Sequence, residues 1–277
     1  MRALVTGGAG FIGSNLVKRL VEDDDDVLVV DNMEGDWENF GAKHWKHFGR
    51  LGLDVNELES KHIQHNHDVF FHCAANASIP YSLDHPREAE ANNVGATINL
   101  LELAREYRTP VIYSSSSSIY GDVQTPYSLQ KSIGEQYLKL YWELYKVPSV
   151  SLRYFNVYGE GQPDKGAYKL ALGIFLKQYK QGKPFTIVGT GKQRRDFVHV
   201  DDVVRANLEA YENVSGYRVY DVGYGNNWSI NEVVNIIDSN HPRVKLSPRI
   251  EPFENLAKLT DFEPRIDLKT WIHQQLA

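Results

Sequence analysis

The chain has 277 residues, 42% hydrophobic and 24% charged, which supports a full core in one large domain or two closely joined ones and excludes disorder as the main state. Lys and Arg total 30 against 36 Asp and Glu, so the net charge is −6 and no global basic field exists to attract a nucleic acid. The single cysteine, Cys73, excludes an internal disulfide, no apolar run approaches the ~20 residues that cross a bilayer, and Met1–Thr6 passes into a glycine-rich turn rather than a signal peptide; the expected compartment is reducing and cytoplasmic.

In chain order, Ala3-Leu4-Val5, Val27-Leu28-Val29-Val30, Val69-Phe70-Phe71, Val111-Ile112-Tyr113 and Val150-Ser151-Leu152 are short and rich in β-branched or aromatic residues. They lack strict polar alternation, which is the pattern of strands buried on both faces. Between them the spacing of apolar residues predicts helices over 11–21, 86–107 and 127–145. Strand and helix in alternation imply an α/β fold built on a doubly wound parallel sheet. After Asn156 the rhythm loosens. Gly159, Gly161, Pro163 and Gly166 break the chain, a helix is expected over 170–180, and Ser229 with Glu232 has the spacing of a capping box. The run Asp23–Asp26 reads as a solvated turn. His62, His65, His67 and His72 match no compact zinc pattern, so no metal is expected.

Gly7-Gly8-Ala9-Gly10-Phe11-Ile12-Gly13 follows the first strand and opens the first helix. Gly7 permits a tight turn, Gly10 lets the backbone approach a pyrophosphate, and Gly13 lets the helix pack on the strand. Phe11 and Ile12 stand at the helix N-terminus, which favours negative charge. Asp31, with Asn32 beside it, ends the second strand, where a carboxylate accepts hydrogen bonds from an adenosine ribose and repels a 2′-phosphate. The combination points to NAD rather than NADP.

Tyr127 and Lys131 lie four apart on one predicted helix face, a spacing that sets an ammonium near a phenol and favours its ionised form. A free phenol titrates near ~10, so a base poised near neutrality needs a depression of about 3 units. Upstream, the strand at 111–113 runs into Ser114-Ser115-Ser116-Ser117-Ser118-Ile119-Tyr120-Gly121. The carboxyl edge of a parallel sheet is where ligands bind, and a hydroxyl there can bond a reacting oxygen.

These residues together resemble the extended short-chain dehydrogenase/reductase family, in its nucleotide-sugar epimerase group. The Gly7-x-x-Gly10-x-x-Gly13 spacing is similar to that family's turn. The serine run looks like the Ser-Ser-Ser-x-x-x-Tyr-Gly strand end of the UDP-galactose 4-epimerase group. The resemblance implies a Rossmann-type sheet with a smaller C-terminal substrate-binding subdomain, and catalysis by Ser116, Tyr127 and Lys131, with Ser115 and Ser117 as neighbouring alternatives to Ser116. For the cofactor it implies Asp54 at the adenine, Ala74 and Ala75 beneath the nicotinamide side, Asn92 at a ribose, Ser114, Tyr154 near the nicotinamide, and Tyr127 and Lys131 again. For the substrate it implies Ser116 and Tyr127 at the sugar, and Asn156, Arg195 and Arg249 at the diphosphate, where a guanidinium fork suits phosphate oxygens.

The family's 4,6-dehydratases carry Thr-Asp-Glu where this chain has Ser116-Ser117-Ser118, and its glucuronate decarboxylases carry Glu at the last position. Lacking a carboxylate there, the chain is suited to oxidation and reduction at one carbon. The implied function is NAD-dependent epimerisation of a nucleotide-diphosphate sugar at C4 through a transient 4-keto sugar. The alternatives are a net oxidoreductase or other one-carbon transformation of a nucleotide sugar, and a non-catalytic NAD-binding sensor. Residues 1–156 with a return segment at 196–222 are expected to bind NAD, and 157–195 with 223–277 the nucleotide sugar. A homodimer is expected through the helices at 86–107 and 127–145, whose outer faces are read as carrying Tyr137, Tyr141, Trp142 and Tyr145. The chain departs from the family in short loops at 32–68, 122–126 and 248–258.

Overall fold

The apolar runs pair edge to edge as the patterning requires. A computed structural model of the chain describes residues 1–33, 49–63, 66–121, 124–163, 170–246 and 262–276. Strands β1 (Arg2–Thr6), β2 (Asp26–Asp31), β3 (Gly49–Gly52), β4 (Val69–His72), β5 (Val111–Ser116), β6 (Ser149–Tyr154) and, later in the chain, β11 (Tyr217–Val222) form one sheet in the order β11-β6-β5-β4-β1-β2-β3. Every pairing in it is parallel. The order reverses between β1 and β4, so the loops after these two strands part and leave a crevice at the carboxyl edge.

Alternate side chains of each strand feed opposite faces. On one face Ala3, Val5, Val29 and Phe71 pack against Leu16, Val17 and Leu20 of α1 (Phe11–Glu22) and Val203, Val204 and Ala210 of α7 (Val200–Glu212). On the other, Leu4, Phe70 and Tyr113 pack against Leu100, Leu101 and Ala104 of α4 (Ala96–Tyr107) and Leu138 and Tyr141 of α5 (Pro126–Tyr145). Both faces are therefore dry, which is why the strands read as continuous apolar runs. No helix among the described residues is long and apolar enough to cross a membrane.

The helix expected over 86–107 is interrupted. It starts as α3 (Pro86–Glu90), passes through a π-helical turn at Ala91–Gly95, and continues as α4. A short α2 (Ile79–Asp84), not foreseen from the sequence, precedes it. Thr125 caps α5, with the Ser128 amide donating to its hydroxyl and the Thr125 amide donating to that of Ser128. Of the aromatic residues expected on the outer face of α5, Tyr141 is a correction. It is 6% exposed and its hydroxyl donates to Glu102 across the α4–α5 contact, while Tyr137 and Trp142 are half-buried. The apolar exposure of α5 belongs instead to Leu129, Leu140, Leu144 and Tyr145.

Beyond Phe155 the chain leaves the sheet through β7 (Val157–Tyr158), α6 (Ala171–Lys180), β8 (Phe185–Val188), β9 (Arg194–Asp196) and β10 (Val198–His199). After β11 come β12 (Asn227–Ser229), α8 (Ile230–Ile237), β13 (Arg243–Leu246) and α9 (Leu268–Leu276). A separate core gathers here around Tyr158, Phe175, Phe185, Val234, Ile237 and Trp271. The capping box read at Ser229 and Glu232 opens α8, with the Glu232 amide donating to the Ser229 hydroxyl at 3.1 Å and the Ser229 amide to the Glu232 carboxylate at 2.7 Å.

Candidate active site

The glycine turn is tight for stated reasons. Gly7 has φ of +67°, and a Cβ there would lie 2.5 Å from the Ala74 nitrogen; a Cβ on Gly13 would lie 2.2 Å from the Gly7 carbonyl oxygen. Gly10 is exposed and a Cβ on it would meet only the Gly7 oxygen at 3.3 Å, so the space in front of α1 is open. No side chain caps the helix and its first turn holds no acid, which leaves the amides of Phe11, Ile12 and Gly13 facing that space. An uncapped helix end behind open space fits a pyrophosphate. Asp31 accepts from the amides of Ala9 and Met33, each at 2.9 Å, so the turn and the acid at the end of β2 are one unit. Burial raises the Asp31 carboxyl above its ordinary value, against the pull of these two amides. Asn32 is exposed beside it. Asp54 instead caps the turn at Val55–Glu57, accepting from the Asn56 amide at 2.7 Å and from the Asn56 side chain at 2.8 Å.

Across the crevice, the end of β4 is fixed by a directed hydrogen-bond chain. The Ala74 amide donates to Thr6 Oγ1, which lies 2.7 Å from His72 Nδ1; His72 Nε2 lies 2.9 Å from Thr97 Oγ1, which donates to the Asn93 carbonyl. With the Thr97 proton spent on Asn93, His72 carries its proton on Nε2 and accepts from Thr6 on Nδ1. Burial pushes this histidine down to about 3, aided by the charge of Lys131, so it is neutral at physiological pH. Ala75 and Asn92 are half-buried. The buried asparagine here is Asn93, which accepts from the Asn76 amide at 2.7 Å and donates to Gln130 at 2.8 Å. The sequence singled out its neighbour Asn92; the π-helical turn, which periodicity did not reveal, is what turns Asn93 inward.

At the end of β5 the serines separate by what they touch. Ser115 donates to buried Glu135 at 2.5 Å, Ser117 is buried, and the Ser116 hydroxyl lies against the Tyr127 phenol. Tyr127 is half-buried at the start of α5, its amide donating to Ser82. The depression expected from Lys131 together with a positively charged nicotinamide ring has burial to overcome. Burial pushes Tyr127 up to about 12, with the Ser116 hydroxyl pulling the other way. Lys131 donates to the Ser114 carbonyl at 2.8 Å, and its ammonium lies 4.9 Å from the centre of the Tyr113 ring. Burial draws Lys131 itself down to about 8, with Cys73 and Glu135 opposing. Tyr154 is buried beneath, within 3.2 Å of the Ser114 hydroxyl and 2.9 Å of the Asn207 amide nitrogen.

The sequence reading missed the network behind these residues. Glu135 takes the Arg153 fork at 2.9 and 2.6 Å, Arg153 also donates to the Tyr120 hydroxyl, and Tyr120 donates to Asp221 of β11 at 2.8 Å. Glu135 follows Lys131 by the same four-residue step that separates Lys131 from Tyr127. That step was the available signal.

The described diphosphate candidates, Asn156 and Arg195, lie beyond the end of β6. Asn156 is exposed with φ of +35° where β6 hands over to β7, and its amide donates to the Asp196 carbonyl at 2.6 Å. Arg195 neighbours Asp196 on β9 and donates to the Arg194 carbonyl at 2.7 Å. Burial raises the Asp196 carboxyl to about 6 even though it accepts from the amides of Phe197 and Gly225. Arg249 lies outside the described residues, as does His65. Glu160, His199 and Asp201 also converge, but His199 Nδ1 accepts from the Asp201 amide at 3.2 Å, which leaves the Nε2 proton facing Glu160 at 3.3 Å rather than a lone pair for a metal.

Comparison with known proteins agrees with this geometry. The UDP-glucose 4-epimerase of Mycolicibacterium smegmatis is 33% identical, over 84% of this chain and 80% of its own. The UDP-N-acetyl-alpha-D-glucosaminuronate decarboxylase of Bacillus cytotoxicus is 30% identical, over 92% of this chain and 84% of its own. The crystal structure of UDP-glucose 4-epimerase from Thermotoga maritima with UDP-glucose superimposes with a TM-score of 0.91 at 28% identity, covering 100% of this chain and 97% of that one. Residues 3–223 match the model of the NAD dependent epimerase/dehydratase family, and with a Rossmann-type sheet and a dinucleotide turn to match, the chain belongs to that family.

Proposed function

We propose that the chain epimerises a nucleotide-diphosphate sugar at C4 by reversible oxidation to a 4-keto sugar, the sugar lying between the NAD-binding part (1–156 with 196–222) and the remainder (157–195 and 223–277). The observation that carries this reading is the Ser116 hydroxyl against the Tyr127 phenol, with Lys131 one helical turn on, at the same sheet edge as the uncapped glycine turn. NAD, which the Gly7–Gly13 turn and Asp31 would hold, would supply a reversible hydride acceptor for the sugar carbon. Tyr127 accepts the C4 hydroxyl proton as the carbonyl forms and gives it back on return, while Ser116 holds the same oxygen by a hydrogen bond. A phenol at about 12 needs cationic surroundings to act near neutrality, and Lys131, protonated below about 8, is the chain's own cation there. Epimerisation also requires the ketose to turn over without leaving, and Asn156, Arg195 and Arg249 are the residues we assign to its diphosphate.

The UDP-glucose 4-epimerases among the relatives support a UDP-sugar as substrate. The decarboxylase relative supports the second reading, net oxidation or another one-carbon transformation. Replacing Tyr127 with Phe abolishes interconversion and leaves NAD bound; a fully active variant ends the mechanism. Stoichiometric accumulation of NADH with substrate moves the chain to the second reading, and a chain that binds NAD but no nucleotide sugar is a sensor. We infer a homodimer through α4 and α5 from the exposed Leu129, Leu140, Leu144 and Tyr145. Light scattering that finds only monomer at micromolar concentration refutes it.

A further inference from the structure

We propose that Glu135 and Arg153 form a positioning pair for Lys131, a role that rests on the proposed part of Tyr127 and Lys131 in the reaction. Tyr127, Lys131 and Glu135 follow one another at four-residue steps on one face of α5, and Lys131 and Glu135 are 2% and 6% exposed. The Glu135 carboxylate is filled by three donors, the Ser115 hydroxyl and two nitrogens of Arg153. Ser115 sits between the two residues that meet the pair on α5, Ser114 with its carbonyl on Lys131 and Ser116 with its hydroxyl at Tyr127. Glu135 therefore fixes the strand end from which both contacts are made.

The pair also sets the charge around Lys131. Facing the ammonium are His72 and Cys73 from β4, the Tyr113 ring from β5, and Glu135 from its own helix. Facing Glu135 are Arg153 from β6, Tyr113 from β5 and Tyr217 from β11, with Tyr120 and Asp221 reached through Arg153. Burial opposes a charge on Lys131, and Cys73 and then Glu135 act the other way; burial pushes the Cys73 thiol up to about 11, so Glu135, paired with Arg153, is the carboxylate that supports the ammonium.

Two single substitutions must then move Lys131 in opposite directions. The experiment follows the Lys131 Cε resonance by NMR as a function of pH in the NAD-loaded full chain, assigned with Lys131→Arg. Glu135→Gln leaves Arg153 uncompensated and lowers the titration midpoint by about one unit; Arg153→Met leaves Glu135 uncompensated and raises it by a similar amount. The double variant removes both charges, keeps the interior neutral where a single change leaves a buried charge, and returns the midpoint to near its original value. The alkaline limb of kcat follows each shift while KM stays within about twofold. Shifts of the same sign in both single variants, or no shift in either, overturn the proposal, since loosened packing alone has no sign. An active Tyr127→Phe variant would end the base assignment without touching the resonance data, so the two failures are told apart.

Discussion

The residues proposed for the cofactor side and those proposed for the diphosphate are finished to different degrees. From β1 to β6, polar groups are buried or half-buried and each is oriented by a neighbour: Asp31 by two amides, His72 by two threonines, Ser115 and Arg153 by Glu135. Asn156 is exposed, and Arg195, half-buried, turns to a backbone carbonyl of its own strand. The first set is held in place by the chain's own hydrogen bonds. The second presents its donors nearer the surface, which suits the proposed reading in which a sugar turns over while its diphosphate is kept.

If the contrast is sound, perturbing the first set costs stability and chemistry, while perturbing the second costs substrate binding alone. The largest expected effect is on acid stability. His72 gains its proton near pH 6.5 in the unfolded chain but only at about 3 in the fold, so its contribution is whole above pH 6.5 and is lost as pH falls toward 3, up to about 5 kcal/mol. Urea unfolding at pH 7 and pH 4 measures it, and a His72→Gln chain must lose that part of the pH dependence. Next, Lys131→Met lowers kcat by roughly 10²–10⁴-fold with NAD still bound, as read by steady-state kinetics and fluorescence titration. A Gly13→Ala change comes third. Its Cβ needs the space of the Gly7 carbonyl, so α1 is displaced and NAD affinity falls by about 100-fold in calorimetry. Smallest, Arg195→Gln raises KM by roughly tenfold with kcat unchanged. A drop in kcat with constant KM there would erase the distinction between the two sets.

Much of the first set was legible in the residue string because its signals are local. The turn at Gly7–Gly13, the acid after β2 and the four-residue step from Tyr127 to Lys131 each need only neighbours in sequence. What escaped depends on depth and on distant partners. Apolar spacing identified α5 as a helix but did not settle its faces: Tyr141, read on the outer face for the dimer, is buried, and Leu140 and Leu144 are exposed. It placed Lys131 beside Tyr127 but could not show that the Ser114 carbonyl takes the ammonium, or that burial outweighs any depression of the phenol. Glu135 and Arg153 are 18 residues apart on different elements, and Asn93 turns inward through a π-helical turn that no regular period announces.

Asn15 makes one of the contacts between the proposed NAD-binding part and the remainder. Asn15 of α1 donates to the Phe11 carbonyl at 2.9 Å and to the Glu160 carbonyl at 3.1 Å, and the Glu160 carboxylate accepts from the Trp271 indole at 3.2 Å. The helix whose first turn is proposed to receive the dinucleotide is thus linked, through one asparagine and one glutamate, to a fluorophore in α9. Trp271 is a native optical probe: its emission should change when the dinucleotide is added alone, and an Asn15→Ala chain should leave that change muted.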